Sequence, residues 1–132
     1  MRFAAQPFVR STPGSIDIRN ILSVCRDGDA LNLPLLREML GHFINENRRR
    51  VSLLAEAVEA EARDAIGDQA HAVLGSAAMF GAGRLHDLAW SLVLDAKAGD
   101  LSALRLSVGA LSAELDAVVK TLHTAHPEIW TE

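Results

Sequence analysis

The sequence predicts an all-α protein: an antiparallel up-down four-helix bundle with a short additional helix at its N-terminal end. Three observations carry that prediction. Apolar residues recur at alternating spacings of three and four through most of the chain. The periodic runs are joined by short corners built from Gly, Pro, Asn and Asp. No segment shows the strict apolar–polar alternation of a half-buried strand. At 132 residues the chain suits one domain.

Residues 1–16, MRFAAQPFVRSTPGSI, hold two of the four prolines and no period, and are expected to be a tail or linker. Ser15 is the expected N-cap of a short helix running to about Arg26. Cys25 recurs there with Ile18, Ile21 and Leu22, as a small buried apolar residue does. RDGDALN supplies a turn. The second helix starts at Asn32-Leu33-Pro34, with Asn as cap and Pro in the first turn. It runs to about Glu59 and buries Leu36, Met39, Leu40, Phe43, Val51, Leu54 and Val58, with a polar break at Asn47. The third spans about Glu61 to Ala78, its inward stripe being Ala62, Ile66, Ala70, Val73 and Ala77. FGAG turns the chain into the fourth, about Ala82 to Ala98, which buries Leu85, Leu88, Ala89, Leu92 and Ala96. Gly99 stops it and Asp100 caps the fifth. There Leu101, Leu104, Val108, Leu111, Leu115, Val118 and Leu122 form the clearest period in the chain. The bundle is expected over 17–124 and a second tail over 125–132.

Composition narrows the function. Thirteen basic against seventeen acidic residues leave a net charge of −4, with no basic stripe for nucleic acid. The one cluster, Arg48-Arg49-Arg50, lies beside Glu46 and fits a solvated helix face. A single cysteine excludes an internal disulfide. No run approaches the ~18 apolar residues of a membrane span, and no signal peptide opens the chain. The expectation is a cytoplasmic protein without nucleic-acid or membrane partners.

The stretch AHAVLGSAAMFGAGRL, Ala70 to Leu85, holds the candidate site. His71 follows Ala70 by ~100° of helix rotation, which turns it from the buried stripe toward solvent. Asp64, Gly67, Asp68, Leu74, Gly75 and Ala78 share its face. A glycine inside a helix costs about 1 kcal/mol against alanine. Gly75 above the imidazole leaves the ring open to a docking surface, although a glycine also admits a neighbouring helix. An open imidazole can act as a nucleophile. The rest of an active site is missing: no Ser-His-Asp or Cys-His arrangement, no phosphate loop and no carboxylate array for Mg²⁺. Phosphoryl chemistry at His71 would take its metal and acid groups from a partner. Elsewhere, His42 falls on a polar face, His86 is expected at the surface and Trp90 in the core. Ser76 and Gly81 fit packing and corner geometry. His123 and His126 have a spacing that could hold metal, but two ligands without nearby Cys or a carboxylate array make a weak site. No repeated Glu-x-x-His motif supports a metal-binding bundle enzyme.

HAVLGSAAMFGAGRL resembles the signature of histidine-containing phosphotransfer (HPt) domains. His71, Gly75, Ser76, Ala77, Gly81, Ala82 and Leu85 match in place, and Val73 replaces a leucine. The flanks LLREMLGHFINENRRRVSLLAEAV and LAWSLVLDAKAGDLSAL are similar as well, so the likeness covers about Ile18 to Leu122. It implies a four-helix bundle that takes a phosphoryl group onto His71 from an aspartyl phosphate on a receiver domain and passes it to another receiver. It implies docking by Asp68, Gln69, Ala72, Leu74, Gly75 and Ala78 around His71. The implied partners are response-regulator receivers and a sensor or hybrid histidine kinase. The protein would carry no cofactor or metal of its own, with Mg²⁺ held by the receiver, no ATP-dependent kinase activity, and a monomeric state. One departure stands out. The family usually has lysine where this chain has Leu74, and leucine cannot stabilise phosphoryl charge. The alternative implied by Leu74 is a module that docks a receiver or kinase without relaying phosphate.

Overall fold

The computed structural model describes residues 12–130. Consecutive amphipathic helices joined by short corners must fold back on one another, and they do. The order is α1 (Arg19–Val24), β1 (Arg26–Asp27), β2 (Ala30–Leu31), α2 (Leu33–Glu59), α3 (Arg63–Phe80), α4 (Gly83–Asp95), α5 (Leu101–Ala125) and α6 (Pro127–Trp130). Helix α2 packs on α3 and α5, and α4 packs on the same two, which closes α2–α5 into a four-helix bundle. Among the described residues no helix is long and apolar enough to cross a membrane.

The core is the set of periodic stripes. Leu36, Leu40, Phe43, Leu54, Ile66, Leu85, Leu92, Leu111, Leu115 and Leu122 are fully buried, each contributing about 1.5–3 kcal/mol by leaving water. Phe43 and Phe80 tilt against each other with ring centroids 4.6 Å apart. Cys25 is buried. Capping follows the sequence at α2, where the Asn32 side chain accepts from the Leu35 N–H at 3.0 Å. It departs at two other ends. Ile18, not Ser15, is the N-cap of α1, and the Asp17 carboxylate accepts the Arg19 N–H at 3.1 Å. Asp100 precedes α5 without a side-chain capping bond. The expected absence of strands is also corrected: Arg26 pairs with Leu31 and Asp27 with Ala30 in a two-residue antiparallel ribbon. Two residues are too few for a period of two to show.

One end of the bundle, where α3 turns into α4 and α5 finishes, is covered from two sides. On one side, the segment before α1 lies across the α3–α4 corner and α5. Gly14 is buried, and its N–H donates to the Glu114 carboxylate at 2.7 Å. Arg84 pairs with the same carboxylate at 3.3 Å. The Asp17 N–H donates to the Gly81 carbonyl at 2.9 Å. These contacts fall in or beside the expected 1–16 tail, whose residues 1–11 lie outside the described residues. On the other side of this end, within the expected 125–132 tail, α6 folds back: Ile129 is buried, the Trp130 Nε1–H donates to the Leu122 carbonyl at 3.1 Å, and Arg37 donates to the Ile129 carbonyl at 2.6 Å.

Two predictions follow from the covered N-terminal end. Gly81 closes α3 at φ +75°, and a Cβ there would collide with the Asp17 carbonyl. Gly81→Ala is expected to lose about 2 kcal/mol or more in urea denaturation, from left-handed strain and displacement of the strap. Burial pushes the Glu114 carboxyl up from its ordinary value, against the lowering pull of Gly14 and Arg84. A raised folded value means the folded state holds the proton more tightly. That contribution is full below the ordinary value and lost as pH rises through the folded one. Glu114→Gln is expected to flatten the decline in urea midpoint as pH rises from the ordinary carboxyl range upward.

Candidate functional site

Helix α3 is positioned from both flanks. Toward α2, the buried Asn47 side chain donates to the Phe43 carbonyl and to Ser76 Oγ, each at 2.9 Å. Toward α4, small residues allow close approach: Ala70, Ala77, Ala82, Ala89 and Ala96 are all buried, and a Cβ on Gly67 would lie 3.6 Å from Ala96 Cβ. The N-terminal end of α3 is tied to the end of α4 by Arg63, whose guanidinium donates to the Ala96 and Gly99 carbonyls at 3.2 and 2.9 Å. At the other end the Gly81 and Ala82 N–H groups return to Ala78 and Ala77 in a left-handed cap.

His71 stands on the outward face that results, and it is exposed. Gly75, one turn on, is exposed too, and a Cβ placed there meets no heavy atom within 4 Å. Close packing inside the chain therefore does not require that glycine. Its lack of a side chain leaves the space one turn above the imidazole open. Asp68 and His71 line a depression of about 330 Å³ between α3 and α4, together with Arg63, Asp64, Gly67, Val93, Leu94, Ala96 and Lys97.

The other expected docking residues divide by helix flank. Ala78 is exposed on the same face as Gly75. Gln69 and Ala72 are half-buried, and rotation of ~100° per residue puts them on the α2 side with Ser76. Leu74, three residues from His71, turns to the α4 side, where it is half-buried against the core. The structure thus brings His71, Asp68, Gly75 and Ala78 onto one outward strip, and places Gln69, Ala72 and Leu74 on its shoulders.

Several positions differ from expectation. Trp90 is not a core residue: it is 38% exposed, and Leu94, one turn on, is 41% exposed. The periodicity of α4 is filled by Leu85, Ala89 and Leu92, which leaves Trp90 outside the stripe. Asn47 is no break in α2 but a fully buried member of its inward face. Its spacing from Phe43 and to Val51, four residues each way, was the available signal. His86 is half-buried, its Nδ1 3.1 Å from the carboxylate of the buried Asp87. His123 stacks on Trp130 at 4.6 Å, whereas His126 lies 3.7 Å from Glu128. Arg49 and Arg50 both pair with Glu46.

A family model for the Hpt domain matches residues 38–121, which span α3, α4 and most of α2 and α5. The chain belongs to the Hpt domain family. No curated protein and no solved structure gives a significant match. Hpt domains are phosphotransfer modules of two-component phosphorelays, where they work with response-regulator receiver domains and kinases.

In this Hpt domain the Asn47–Ser76 bond is a polar link between α2 and the helix carrying His71. Ser76→Ala is expected to cost about 1 kcal/mol, because Asn47 keeps the Phe43 carbonyl. Asn47→Ala is expected to cost about 2–4 kcal/mol, through lost hydrogen bonds and a buried cavity. Urea denaturation of the two variants measures both.

Proposed function

We propose that this Hpt domain is a phosphorelay intermediate with His71 as the phosphoryl acceptor. The observation that carries the reading is an exposed imidazole with open space above it at Gly75, on a helix anchored along both flanks. The unprotonated ring nitrogen attacks the phosphorus of a receiver's aspartyl phosphate. An N–P bond forms as the P–O bond breaks, and its electron pair leaves on the aspartate carboxylate, while the ring keeps its one N–H. The return to a second receiver reverses these events. Such a reaction gains from positioning and charge stabilisation more than from covalent help by the protein. The acidic pocket and Mg²⁺ belong to the receiver. Asp68, Gly75 and Ala78 form the surface around the histidine, with Gln69, Ala72 and Leu74 at its shoulders. The domain works as a cytoplasmic monomer beside receivers and a sensor or hybrid kinase.

The open face also supports docking of a planar or convex partner surface. Exposed Trp90 and Leu94 lie on α4, and Leu94 lines the same depression as His71. Aromatic residues are the side chains most often found as interface anchors.

With a receiver domain phosphorylated by acetyl phosphate, radiolabel is expected on this chain. The label should be acid-labile and alkali-stable, and absent from His71→Gln. Chelation of Mg²⁺ with EDTA is expected to stop transfer while the helical circular dichroism stays unchanged. Label persisting on His71→Gln would exclude His71 as acceptor, and binding without any transfer would favour a docking module.

A further inference from the structure

We propose that Lys97, in the turn just after α4, supplies the positive charge at the phosphoryl site that the Hpt motif usually carries at the position of Leu74. The inference rests on His71 as acceptor. Lys97 and His71 line the same depression between α3 and α4. Lys97 is exposed, and among the described residues its ammonium has no hydrogen bond or ion pair. The other cation there, Arg63, is half-buried with its Nη1 held by the Ala96 and Gly99 carbonyls, so it is less free than exposed Lys97 to reach a phosphoryl group. Asp64 and Asp68 are carboxylates that repel a phosphoryl group, which a mobile cation offsets.

Leu74 explains why the charge crossed the helix pair. It sits on the α4 side of α3, half-buried against the core. A leucine there adds apolar contact between the two helices. A cation just past the end of the facing helix serves the transferring group equally well, because only its final position matters. The lysine ammonium is a compact charge on a flexible four-carbon stem, suited to follow a moving phosphoryl group. In the transfer, negative charge spreads over the three non-bridging oxygens. The Lys97 ammonium donates hydrogen bonds to those oxygens as the N–P bond forms and the P–O bond to aspartate breaks, and it neither gains nor loses a proton.

The test follows transfer of label from a receiver phosphorylated by acetyl phosphate, with the receiver varied to saturation. Lys97→Met is expected to lower the maximal rate by about 10-fold or more, with the half-saturating receiver concentration changed less than about 2-fold. Lys97→Arg is expected to stay within about 3-fold of the original rate, and Leu74→Lys should restore rate to the Lys97→Met chain. An unchanged maximal rate in Lys97→Met overturns the proposal. So does a raised half-saturating concentration at unchanged maximal rate, which would assign Lys97 to docking. Absence of label on His71→Gln alongside normal transfer by Lys97→Met removes the Lys97 role alone. Label on His71→Gln removes the acceptor reading beneath it.

Discussion

Helices α3 and α4 pack together with buried alanines on both, and small side chains there allow the close approach that shapes the His71 face. Ala70 and Ala77 on one helix, with Ala89 and Ala96 on the other, bury almost no side-chain length between the backbones. Larger residues would push the helices apart and widen the depression that His71 shares with Val93, Leu94 and Lys97. Interiors packed to crystal-like density do not absorb such changes without moving backbone. The small residues around the histidine therefore have two jobs. Those on the inner face bring α4 near, and Gly75 on the outer face keeps the ring uncovered.

The remaining polar interactions hold this helix pair rather than add to the chemistry. Asn47 reaches across from α2 to Ser76. Arg63 ties the start of α3 to the end of α4. The strap at Gly14 and Asp17 is held by Glu114 and by the Gly81 carbonyl, next to the corner joining α3 to α4. Each lies at an end or flank of α3. If His71 is the phosphoryl acceptor proposed above, rigidity serves it more than elaborate local chemistry: a partner's groups would have to meet the imidazole at one distance and angle, and a mobile helix would forfeit that positioning.

The surface beside the histidine is apolar on α4 and charged around the depression. Trp90 and Leu94 offer contact area at low entropic cost, whereas Asp64, Asp68, Arg63 and Lys97 place mixed charge around the ring. Mixed charge of this kind serves partner choice and orientation more than affinity. In a family whose members share one fold and one reaction, such residues are where one relay can differ from another.

The sequence by itself determined the bundle. Periods of three and four fix which face of each helix is buried, and short corners make neighbours antiparallel, both through local geometry that needs no knowledge of the partner helix. The same rotation argument put His71 outside the stripe and Gly75 above it, and the motif named the family. Tertiary structure decided what joins positions far apart in the chain. Asn47 looked like a break until Ser76 stood opposite it. Trp90 looked like core because its size suggests burial, but α4 had already filled its inward face. Glu114 gained its partners from Arg84 and from a strap a hundred residues away. Lys97 lies twenty-six residues from His71, and no helical period relates the two. Only the packing of α4 on α3 brings Lys97 to the depression that His71 also lines, because local periodicity does not reach across a corner.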